Sequence, residues 1–192
     1  MFVAAIAGVP LAAQPRLTRQ DADHFKAKLS QIVQFGSAAP LRSAQPRATA
    51  VTDAEVNSYL RYLAGADVPA GIVEPVINAV GNGRVSGSAI VDLDAVRKQK
   101  ARGWLDPLAY LSGRVPVTAA GTLTTRAGHG QFQLESAEIA GVTVPKAVLQ
   151  ELLTHYSRTV ENPQGINMDE PFELPARIRE IRVGAGVATV VQ

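Results

Sequence analysis

The 192-residue sequence has no cysteine, which excludes a disulfide framework, a thiolate nucleophile and a Cys-ligated zinc site. It has little excess charge of either sign. Nineteen Lys and Arg against seventeen Asp and Glu leave a formal charge of +2, so nothing in the balance implies a nucleic-acid partner. Aromatics make up only 5% of residues, with a single tryptophan. Nor is there a long hydrophobic run: the longest uncharged apolar stretch, residues 2–13 (FVAAIAGVPLAA), has twelve residues, short of the ~20 that span a bilayer as a helix. The three histidines, His24, His129 and His155, fall in separate segments with no metal-ligand spacing between them, and no nucleophile elbow or phosphate-cradling glycine motif is present. Neither an enzyme nor a cofactor is expected.

What is present suits one globular domain containing β structure: 46% apolar residues, rich in Ala, Val, Gly and Leu, with 19% charged. Residues 2–13 end in small side chains before Gln14-Pro15 and read as a signal-peptide core and cleavage region, although no Lys or Arg precedes them. The expectation is an exported, periplasmic protein whose mature chain starts near Gln14. Thr18 is placed to cap a helix with Asp21 three residues on, and Ala22, Phe25, Leu29, Ile32 and Val33 mark its apolar face until Gly36. Residues 37–50, rich in Ser, Ala, Pro, Arg and Gln, read as a linker. In VTDAE at 51–55, Thr52 and Glu55 form a capping-box pattern opening a second helix with Val56, Tyr59, Leu60 and Leu63 on one face. Asn57 on that helix is expected at the surface or in a second capping role.

Residues 72–80, Gly81-Asn82-Gly83 and residues 84–94 read as a β-hairpin. On its second arm Val85, Gly87, Ala89, Val91 and Leu93 alternate with polar residues, giving one dry face, whereas the first arm is apolar on both faces, so both are expected to be covered. Pro75 argues for an edge strand or a bulge. Residues 114–125 alternate again, with Val115, Val117, Ala119 and Leu123 on one side, and Phe132 and Leu134 continue the pattern after a turn at 126–130. The alternation slips between Leu134 and Ala137, which predicts a bulge. Pro145 then starts a helix in which Val148, Leu149, Leu152, Leu153 and Tyr156 form an apolar face wider than one seam. Such a face needs cover on more than one side, as a curved sheet would provide. Residues 157–175 hold three prolines and no periodicity, a long loop of functional or mobile type. A last hairpin turns at Gly184-Ala185-Gly186. Between the two sets of strands, Arg97, Lys98, Lys100 and Arg102 precede Trp104, a pattern that fits peripheral contact with a membrane surface; Trp104 packed in the core is the alternative.

In this order the helix motif VTDAEVNSYL (51–60), the long hairpins, the segment AEIAGVTVP (137–145) entering an apolar helix, and FELPARI (172–178) before a final hairpin resemble small bacterial envelope proteins related to the tubular lipid-binding (TULIP) superfamily. The resemblance covers roughly 51–192, after a signal remnant at 1–13 and an N-terminal helix and linker at 14–50. It implies an α+β fold: a strongly curved antiparallel sheet of about six strands wrapped around a long amphipathic helix, with additional N-terminal helices. It also implies an apolar cavity for acyl chains between sheet and helix, for which Val85, Val91, Val117, Leu123, Phe132, Leu134, Val148, Leu149, Leu152, Leu153 and Tyr156 are the candidates. The expected ligand is a lipid or another acyl-chain compound, bound or transferred without polar machinery. The competing expectation is a non-enzymatic envelope interaction module in which the same residues merely form a packed core and the loop at 157–175 binds another protein.

Overall fold

The computed structural model describes residues 16–38, 45–65, 67–99, 112–158 and 163–192. The apolar run at 2–13, linker residues 39–44, and Lys100, Arg102 and Trp104 of the membrane-docking segment lie outside the described residues. Helix α1 (Arg19–Ser37) starts where its cap dictates, with the Thr18 hydroxyl accepting from the Asp21 amide at 3.1 Å. It does not stop at Gly36. The missing side chain there serves close packing instead, because a Cβ on Gly36 would run into the Ala176 backbone. The linker reading fails for its last residues, since Ala48–Thr52 form strand β1. Thr52 then caps α2 (Asp53–Tyr62) with the capping box complete: its hydroxyl accepts from the Glu55 amide at 3.2 Å and Glu55 accepts from the Thr52 amide at 2.9 Å. The Phe25 and Tyr59 rings, edge-on at 5.2 Å, join α1 to α2.

The predicted hairpin is β2 (Ile72–Gly81) and β3 (Arg84–Asp92). Its second arm is two residues shorter than expected because Asp92 accepts from the Ala95 amide at 3.0 Å and Leu93 begins α3 (Leu93–Gln99), which contains Arg97 and Lys98. Strands β4 (Arg114–Arg126), β5 (His129–Ile139) and β6 (Val142–Thr143) follow in the order β2-β3-β4-β5-β6, every pair antiparallel. Helix α4 (Lys146–Ser157) comes next, with Pro145 at its N-cap rather than inside its first turn. A sixth strand, β7 (Phe172–Glu173), pairs with β5, and a separate three-stranded sheet holds β8 (Glu180–Val183) and β9 (Val187–Val191) beside β1 in the order β1-β9-β8. The protein is therefore α+β with an open antiparallel sheet of six strands and a few helices.

Both sequence irregularities appear as pairing shifts. Register slips between Val73 and Val76 across Pro75, where Glu74 adopts a φ of 51°, and again at Glu135 in β5, opposite the Ala120–Gly121 step of β4. As Pro75 predicts, β2 is an edge strand. Its exposed backbone is sealed by side chains: the Asn57 amide donates to the Ile77 carbonyl and accepts from the Ile77 N–H, both at 2.8 Å, while Asp53 accepts from the Ala79 N–H at 3.0 Å. Asn57 is consequently buried, at 6% exposure, and not a surface residue. The expectation that both faces of β2 are covered is not met, because Ile77 and Val80 remain 44% and 51% exposed.

The hydrophobic core sits under the small sheet, where Ile32 of α1 packs with Leu174 and Ile178, flanked by Ala176, Ile181 and Val190. The buried Gln192 amide ties these parts together by donating to the Ile32 carbonyl at 2.8 Å and the Ala176 carbonyl at 2.7 Å. This region fixes one end of the long sheet through Thr125, whose hydroxyl accepts from the Ile181 amide and donates to its carbonyl.

Candidate functional site

Directly paired residues of a sheet project from the same face, so the register alone defines what each side of β2–β5 presents. On one side stand the rows Val85–Gly121–Leu134, Gly87–Ala119–Ala137, Ala89–Val117–Ile139 and Val91–Val115, extended by the pair Leu123–Phe132 and, from β2, by Ile77 and Ala79. Val142 continues this face beyond Ile139, and Phe172 lies opposite Gly130 at the other end. The opposite side carries Arg84–Thr122–Gln133, Ser86–Ala120–Ser136 and Ser88–Thr118–Glu138. There Glu135 accepts from the Thr122 hydroxyl at 2.6 Å and pairs with Arg84 at 2.9 Å. Thr122 and then Arg84 hold its carboxyl below the usual range.

The apolar side is not a closed interior. Ala137 is buried at 2%, but Val85, Val91, Val117, Leu123, Phe132 and Leu134 are only half-buried, and Val142 and Phe172 are 66% and 45% exposed. All six strand residues expected to line a cavity thus share one face, and that face is partly open. Helix α4 does not sit enclosed by the sheet. Its main sheet neighbour is β5, Leu149, Leu152 and Leu153 are half-buried, and Val148 is 46% exposed; Tyr156 falls in its last turn.

Among the described residues, two clefts that adjoin the sheet are both open to solvent. The larger, about 920 Å³, lies where β5 meets α4, between the rings of Phe132 and Phe172, Gln150 and Thr154 of α4, and residues 164–171. Helix α4 thus turns amides and hydroxyls toward it rather than its leucines. Residues 163–171 are not the featureless loop that their sequence suggests. They are strapped to α4 by the Gln150 amide, which donates to the Ile166 carbonyl at 2.9 Å and accepts from the Met168 N–H at 2.8 Å, by Ser157, which accepts from the Ile166 N–H at 2.6 Å, and by the ion pair between Lys146 and Asp169. The left-handed Gly165, with φ at 73°, lies against the Thr154 carbonyl and admits no side chain.

The second cleft, about 820 Å³, runs along the other side of the sheet at the β2 bulge. The rows Val73–Ile90–Pro116 and Val76–Ser88–Thr118 form its floor, and Leu17, Leu60 and Val68 its wall, with Arg61 and Glu74 also lining it. Among the described residues there is no group of three or more metal-binding side chains, and no helix is long and apolar enough to cross a membrane.

No protein-family model matches the sequence, and no curated protein matches it. Among solved structures, the chain is similar to a crystal structure of lipopolysaccharide binding protein, with 13% identity and a TM-score of 0.23. The match covers 81% of this chain and 45% of that one, so the chain spans less than half that protein's length. A likeness of this strength carries no argument about fold or ligand.

Proposed function

We propose that the protein is an envelope lipid-binding or lipid-transfer protein and that the apolar face of β2–β5 is where it holds acyl chains. The observation that carries this reading is the continuity of that face. From Val115 to Leu123 along β4 it runs roughly 26 Å at about 3.3 Å per residue, aliphatic or small throughout, yet half-exposed, whereas the opposite face mixes polar and apolar residues. Burying an acyl chain contributes about 0.8 kcal/mol per CH₂, so ~14 carbons on this face would gain on the order of 11 kcal/mol before the costs of association and ordering. No charged group is needed for that. Placement in the envelope rests on the apolar run at 2–13, and membrane contact on the basic segment around Trp104.

A second reading is an envelope interaction module that covers the same face with another protein. The openness of the face and of both clefts favours it, because the described residues do not enclose a ligand on all sides. Native mass spectrometry of protein purified without detergent separates the two. The lipid reading predicts a bound population heavier by the mass of one or a few lipids, released by organic extraction. A homogeneous apo mass, with no acyl compound in the extract, counts against it.

A further inference from the structure

We propose that the head group accompanying this acyl chain is uncharged and hydroxyl-bearing, and that it sits in the cleft between Phe132, Phe172 and α4; this rests on the lipid-binding reading above. The cleft adjoins the apolar face at the Leu123–Phe132 pair, so a chain lying along β4 would end there with its polar part. Its lining is aromatic and amide in character. No Lys, Arg or His lines it among the described residues, and its one charged lining residue is the carboxylate Glu170. Lys146, on the same helix, is neutralised by Asp169 and does not line the cleft.

A phosphate or carboxylate head placed there would lose water without gaining a cation. A polyol head needs no cation. Glu170 accepts from the Asn167 amide at 3.1 Å through Oε1, which leaves Oε2 to accept from a ligand hydroxyl. The Gln164 amide, on the same wall, offers both a donor and an acceptor. A quaternary ammonium head would satisfy the carboxylate but not the amides, and Glu170 is exposed and well screened.

The test is calorimetric titration of delipidated protein with three amphiphiles of one chain length, dodecyl glucoside, dodecanoate and dodecyltrimethylammonium, each below its micelle concentration. The glucoside should bind at least ~10-fold more tightly than dodecanoate, and Glu170→Lys, at an exposed position, should shrink or reverse that ratio. Equal affinities, or tighter binding of dodecanoate or of the ammonium compound by the unmodified protein, would overturn the head-group assignment and leave acyl binding standing. Binding of none of the three would remove the acyl-binding reading itself.

Discussion

Glu55 serves two partners at once. It completes the α2 capping box with Thr52 and accepts from Lys28 at 2.7 and 2.8 Å, and Lys28 also donates to the Ala50 carbonyl. Burial pushes its carboxyl up, but the Lys28 hydrogen bonds and charge together with the Thr52 amide and hydroxyl outweigh this, so the net shift is downward. A carboxyl whose pKa is lower folded than unfolded contributes stability above the unfolded value, near 4.3, and loses it as pH falls through the folded value. Urea midpoints measured between neutral pH and pH 3 should fall at the acid end, and Glu55→Gln should flatten that fall; a parallel curve for the variant would contradict the assignment. Asn57→Ala leaves the Ile77 N–H and carbonyl without partners and should cost about 1–3 kcal/mol in urea unfolding. The capping box was readable because its residues are three apart. The burial of Asn57 was not, because its partner lies 20 residues away and a polar residue on an amphipathic helix carries no mark of the strand edge that it seals. Trp104, the only tryptophan, reports on the docking segment: its emission should shift to the blue with anionic vesicles, less so in salt, whereas an already blue emission that ignores vesicles would remove the segment from membrane contact.

At the scale of elements, what the sequence made legible was local. The β2–β3 turn at Asn82-Gly83, the edge position of Pro75 and the slip near Glu135 each have a cause within a few residues, and each appears where the pattern puts it. Strand β1 escaped because its pairing partner is β9, Ala48 lying opposite Val191, and its own five residues resemble the linker before them. The strap at 163–171 escaped for a similar reason: its order comes from α4 side chains, chiefly Gln150, not from any periodicity of its own. Gly130 gives this region a test. A Cβ there would come within 2.6 Å of the Phe172 ring, so Gly130→Ala should expel Phe172 and loosen β7. Hydrogen exchange at Leu174, whose amide donates to the Gly128 carbonyl, should speed up while exchange in the β3–β4 ladder stays unchanged; protection unchanged at Leu174 would show that β7 does not depend on that contact.

For the whole molecule, alternation within each strand put Val85 with Val91, Val117 with Leu123 and Phe132 with Leu134, and the observed register brings the three pairs to one face. What alternation could not say is whether the shared face is roofed. That depends on where α4 lands, and α4 settles beside β5 with Val148 exposed, leaving an open surface in place of the expected enclosure. The central claim is that acyl chains bind this face and not its reverse, and neighbouring residues of β4 test it most directly: Leu123 projects from the apolar side, Thr122 from the other. Equilibrium uptake of a fluorescent acyl probe should fall at least ~10-fold for Leu123→Asp, which places a charge against the chain, and stay near the unmodified level for Thr122→Asp, with circular dichroism confirming that both variants are folded. Equal uptake by a folded Leu123→Asp, or a loss as large in Thr122→Asp, would contradict the account.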